Sequence, residues 1–172
     1  MANAILRYRK ATFFSTFILL AFALIFLNIF FGLTFFKDQA ILILAILVSA
    51  ALLIVLGVSP FLTHHTLSDT DIQLRQGWYF RAVIPLSNIE RIQVVERGPM
   101  RTGVFFEVVG KALYVTTQRG DLILLSLRQP QRFGFAWGKR AGRVYFDTID
   151  KNVVLRRMAE KALTPANQDR SS

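Results

Sequence analysis

The chain has 172 residues, with 21 basic and 11 acidic side chains and a formal net charge of +10, which leaves room for one ordinary domain and an appendage. The absence of cysteine excludes disulfides and thiolate chemistry and fits a reducing compartment. Lys37 and Asp38 carry the only charge between Ala11 and Phe61, so the averaged composition hides two parts of different character.

Residues 1–10 form a basic N-terminus with Arg7, Arg9 and Lys10. From Ala11 to Phe36 no residue is ionisable, and about 20 apolar residues suffice to span the hydrocarbon core of a bilayer. A second uncharged run, Ala40 to Val58, is also of spanning length. A cleaved signal peptide fits the first run poorly, because its apolar region would be about 7–15 residues followed by small residues. Here the run is longer and ends Thr34-Phe35-Phe36-Lys37. Two core helices of a soluble protein fit poorly as well, since neither run offers a polar face to water. With Lys37, Asp38 and Gln39 alone between the runs, residues 11–61 read as an antiparallel transmembrane hairpin with both ends on one side. Basic residues flank those ends, which predicts a multi-pass protein of the cell membrane with cytoplasmic termini.

Inside the hairpin Asn28 is the most polar residue, and its amide needs a partner within protein. It lies nine residues before Lys37, and Ser49 lies ten residues after Gln39, so the pair is expected at matched depth on neighbouring helices. Ala45, Ser49 and Ala50 are small enough to let the backbones approach. Packing glue is the reading preferred for Asn28; the alternatives are a bridge between protomers, which leaves a homo-oligomer open, and the lining of a polar pathway, for which a lone amide without carboxylates or further polar residues is a poor route.

Past Pro60 the pattern becomes short β-rich runs broken by turn residues, the mark of an antiparallel sheet. Strands are expected at Phe61–Leu67, Ile72–Gln76, Trp78–Ile84, Ile89–Glu96, Lys111–Thr117, Asp121–Leu127 and Arg143–Phe146. Val104–Val109 is a further strand or a bulged lead-in. Gln118-Arg119-Gly120 suits a hairpin between its two flanking strands. Asp150 to Ala162 has helical spacing, with Asp147 or Asp150 available as cap, and residues 164–172 read as a disordered tail. About seven antiparallel strands and one terminal helix in residues 62–163 outline a small barrel closed at one end by that helix.

Two stretches carry a resemblance. Thr66-Leu67-Ser68-Asp69-Thr70-Asp71-Ile72-Gln73-Leu74-Arg75-Gln76-Gly77, followed by Ile84-Pro85-Leu86-Ser87-Asn88-Ile89-Glu90-Arg91-Ile92, is similar to the opening of the bacterial and archaeal pleckstrin-homology-like membrane domains. Proteins of that family place a transmembrane hairpin before the domain. The resemblance covers about residues 60–162 and implies a membrane-tethered scaffold or regulatory module. Eukaryotic pleckstrin-homology domains that bind phosphoinositides use basic residues around the first hairpin, whereas the corresponding turn here is Ser68-Asp69-Thr70-Asp71, which speaks against specific inositide recognition.

His64 and His65 are the only histidines, and neighbours on a strand point to opposite faces, which disfavours a shared metal. Gly134-Phe135-Ala136-Trp137-Gly138-Lys139-Arg140 has the outline of a phosphate loop, but its glycines are one residue too close and Arg140 stands where Ser or Thr is needed. No nucleophile–base constellation can be assembled, so neither catalysis nor a cofactor is expected. From Leu62 onward 17 basic side chains oppose 10 acidic ones, a net of +7. Tethering beside a bilayer makes anionic headgroups the nearest polyanion. Arg132, Trp137, Lys139, Arg140 and Arg143, where aromatic and cationic residues mix, are the lipid-surface candidates. A protein partner is a further expectation. Nucleic-acid binding is the rival reading of the charge, and an accessory role to a membrane enzyme is another.

Overall fold

The computed structural model describes residues 4–35, 38–134 and 139–163, with side chains described through 160. Helix α1 (Ala11–Thr34) is followed by α2 (Gln39–Leu52), whose first N–H groups, those of Ala40 and Ile41, are accepted by Asp38 Oδ1. A π-helical stretch (Leu53–Val58) and a last turn, α3 (Ser59–Leu62), continue α2, so the second arm runs from Gln39 to Leu62. In the widened turn Ser59 N–H bonds Ile54 O, five residues back. Gly57 lies here against α1, where a Cβ would come within 2.9 Å of the Phe17 ring.

Both arms are long and apolar enough to cross a membrane, and 6% and 11% of their apolar windows are buried. Leu19, Phe22, Phe26 and Leu33 are all more than two-thirds exposed, an apolar surface with no polar face to set against water.

The remainder is two packed sheets and a helix. The first sheet orders β1 (Ala4–Leu6), β2 (His65–Leu67), β3 (Asp71–Gln76) and β4 (Phe80–Pro85) as antiparallel neighbours. The second contains β5 (Ile89–Arg97), β6 (Gly103–Glu107), β7 (Ala112–Thr116), β8 (Gly120–Arg132) and β9 (Arg140–Phe146), in the order β5-β8-β9-β7-β6. Period-two alternation turns Ile72, Leu74, Ala82 and Ile84 of the first sheet toward Leu113, Val115, Ile123, Leu125, Val144 and Phe146 of the second. Helix α4 (Lys151–Leu163) adds the fully buried Val154 to this core.

Several expectations are corrected. Among the described residues the strands form two sheets rather than a closed barrel: Pro85 and the 3-10 turn Leu86–Asn88 carry the chain out of one sheet before β5 begins the other. The described strands number nine, and β7 and β9 run parallel. The strand expected from Phe61 starts at His65, because Pro60, locked at a helical φ, extends the second arm to Leu62. The Gln118-Arg119-Gly120 connection does not pair its flanking strands, since β9 lies between β7 and β8. Asp147, directly after β9, fixes that arrangement by accepting from both Thr117 N–H (2.6 Å) and Thr117 Oγ1–H. Its carboxylate is thereby taken from the helix, and Asp150 accepts from Arg7 N–H (2.9 Å). The tail, residues 164–172, lies outside the described residues.

Strand β1 lies outside the segments whose sequence predicts a strand. It precedes α1 yet pairs with β2, which follows α3, so the segments on either side of the hairpin share one sheet. Leu6, its last residue, is fully buried.

Candidate functional site

Five segments converge at the base of the hairpin. Tyr8, just before α1, directs its hydroxyl to Pro60 O (2.7 Å) and Thr63 Oγ1 (2.8 Å). Thr63 Oγ1 accepts from Gly77 N–H (2.8 Å), and Ser59 Oγ accepts from Trp78 N–H (2.9 Å), which fastens the β3–β4 turn to the end of the second arm. On the other side Thr12 Oγ1–H donates to Thr117 O (2.6 Å), and Lys10 Nζ donates to Phe61 O. Arg7 O accepts from Ile149 N–H (2.8 Å) and Thr148 Oγ1–H (2.9 Å), which brings the β9–α4 connection to the same place.

Burial sets the electrostatics of this junction. His65, fully buried against Tyr8 and Phe146, accepts from Arg75 N–H through Nδ1, and burial pulls its pKa down to about 3. Tyr8 is pushed up to about 12 by the same cause. Burial also raises Asp147, against the two hydrogen bonds from Thr117.

Register fixes which turns meet the hairpin. Successive connections alternate between the two ends of the sheets, and those at 77–79, 98–102, 117–119 and 147–150 return to the hairpin base. Arg97 pairs with Gly120 and Gly103 with Thr116, which puts the β5–β6 loop at this end. These turns form a rim. Its exposed apolar members are Leu62, Trp78, Met100 and Ile149, and its exposed cations are Arg9, Lys10, Arg97, Arg101 and Arg119. Gly98 closes the rim locally: its N–H donates to Arg119 O (2.7 Å), and a Cβ there would strike that same oxygen.

The lipid-surface candidates lie elsewhere. Arg132 and Arg140 face each other across β8 and β9 at the opposite end of the sheet, with about 20 Å of strand between Arg140 and Phe146. Arg143 pairs with Ala112, the first residue of β7, and donates to Gly110 O (3.0 Å). Lys139 Nζ is 5.8 Å from the Phe106 ring centroid. Trp137 lies outside the described residues. The structure gathers the four described members at the end remote from the hairpin. The rim residues, by contrast, are scattered from Arg9 to Ile149 in sequence. Counting turns from the hairpin, every second one returning, was the signal that could have found them.

Within the hairpin Asn28 Nδ2 donates to Ser49 Oγ (2.8 Å) and to Leu24 O (2.7 Å). Its Oδ1 is buried without a partner among the described residues.

Comparison with protein-family models, with curated proteins and with solved structures finds no match to this chain.

Proposed function

We propose that this chain is a non-catalytic membrane-anchored module, whose hairpin spans the bilayer with both termini cytoplasmic and whose rim rests on anionic lipid headgroups. One observation carries the reading: Trp78 N–H is bonded to Ser59 Oγ in the last turn of the second arm, while the Trp78 side chain is 59% exposed. If the arm spans the bilayer, that bond holds an indole at headgroup depth, where Trp is favoured. Arg9, Lys10 and Arg119 ring the same base, and each cation near an anionic surface contributes about 1 kcal/mol. At 1.5 Å per residue, arms of 24 residues match a hydrocarbon core of about 30 Å with some tilt. The basic flanks support the cytoplasmic side. Two sheets with a C-terminal helix packed on them also support kinship with the pleckstrin-homology-like membrane domains, in an unclosed form.

The experiment uses the full chain, because a fragment starting at Leu62 would lack β1. In nanodiscs, Trp137→Phe leaves Trp78 as the reporter, and brominated lipids should quench its emission. Detergent-extracted protein should retain anionic lipid, and Arg9→Gln with Lys10→Gln and Arg119→Gln should reduce that retention, most clearly at low salt, since exposed charges are screened over about 8 Å at physiological ionic strength. An unquenched Trp78, or anionic lipid retention indifferent to the three substitutions, overturns the headgroup contact. A reporter fused after Pro165 that is active outside the cytoplasm overturns the orientation.

A further inference from the structure

Strand β5 ends the second sheet, so among the described residues its outer edge from Ile89 to Arg97, bulged between Ile89 and Arg91, has no strand beside it. Such an edge invites pairing, and proteins cover or charge it when it has no partner. A groove of about 510 Å3 lies between the first half of this strand and α4. Ile89, Ile92, Leu155 and Met158 line it, and Arg91 and Arg128 outweigh Glu90 at its border. Arg128 Nε donates to Ile89 O (3.4 Å), which holds its guanidinium at the start of the strand. Neither arginine is in an ion pair among the described residues, whereas α4 uses Arg156, Arg157 and Lys151 in ion pairs.

We infer that the β5 edge and its groove receive an extended segment of another protein, with apolar and acidic residues in alternation, as an added strand. Main-chain bonds along the edge would supply affinity, apolar side chains would enter the groove, and carboxylates would meet Arg91 and Arg128. A second copy of this chain fits less well. Antiparallel pairing about a two-fold axis sets residues of equal parity opposite one another in a regular strand, and the register that uses the whole regular stretch of β5 past its bulge, Arg91 to Arg97, places Arg91 against Arg97 of the other copy. Like charges directly opposite are destabilising. The groove is near the end of the sheets away from the rim, so a bound strand and a bilayer would not compete.

The test uses the full chain in nanodiscs of neutral lipid. The probe is a capped, fluorescent ten-residue peptide alternating valine and aspartate, with a valine–lysine counterpart. The aspartate peptide should give saturable anisotropy and slow hydrogen exchange within residues 91–95. Arg91→Glu with Arg128→Glu should weaken it by about tenfold or more and turn the preference to the lysine peptide, while Arg119→Gln at the rim should leave it unchanged. Equal binding of both peptides, no binding, or protection at the rim or on β6 overturns the inference. Protection of β5 that grows with protein concentration in the absence of peptide also overturns it, in favour of a second copy.

Discussion

Gly77 is packed so closely on Ser59 that a Cβ at position 77 would lie 2.6 Å from Ser59 Oγ. Its φ of +64° is left-handed, and its N–H donates to Thr63 Oγ1. Conformation and space therefore both require glycine where the domain meets the hairpin, and the hydrogen bond from its backbone N–H holds it there. Gly77→Ala should lower stability by about 2 kcal/mol, from strain in the left-handed region added to the steric contact. Chemical denaturation followed by tryptophan emission would measure this. A change below about 0.5 kcal/mol would mean that the turn can lift off the hairpin without loss.

The Asn28–Ser49 hydrogen bond joins the two arms at mid-hairpin. Cysteines at both positions should crosslink within one chain, and Ser49→Ala should cost about 0.6 kcal/mol, a typical value for polar pairs between membrane helices. Crosslinks that form between chains alone would instead assign Asn28 to an oligomer contact.

His65 makes the junction sensitive to acid. Its folded pKa of about 3 lies below its ordinary value of 6.5, so as pH falls the unfolded chain takes up the proton first. The stability is present above about pH 6.5 and is lost progressively on acidification toward pH 3, by about 2 kcal/mol between pH 7 and pH 5. His65→Leu should start less stable, having lost the acceptor for Arg75 N–H, but its decline over that interval should be flatter than that of the parent. Parallel pH slopes in the two proteins would show that another group dominates.

Strand β1 is part of the domain. Leu6 is fully buried in the core, so Leu6→Ala should cost about 3 kcal/mol, the range for a large side chain truncated in a packed interior. Ile5→Ala, at a position 58% exposed on the same strand, should cost under about 1 kcal/mol. Urea or guanidinium titrations of both variants would check the contrast, and equal small losses would return residues 4–6 to the status of a tail.

The sequence alone determined the two apolar helices, the β-rich character of the domain and its C-terminal helix, because each rests on a local signal. Uninterrupted apolar runs, period-two alternation in Ile72–Gln76 and Phe80–Ile84, and helical spacing after Asp150 are all legible within a few residues. The depth match of Asn28 and Ser49 was legible too, since a short loop ties the count on one arm to the count on the other. Tertiary structure decided the rest. Three residues at the N-terminus give no periodic signal, and β1 is a strand because β2, sixty residues later, offers its edge. The Gln118-Arg119-Gly120 turn suggested a hairpin, but pairing belongs to whichever strand fills the central slot. Asp147 awards it to β9 by fastening Thr117. The cations that ring the hairpin base are scattered from Arg9 to Arg119, and composition cannot say which end of a sheet a charge occupies. Register can: each strand reverses the chain, so Arg132 and Arg140 lie remote from the hairpin while Trp78 and Arg119 lie beside it.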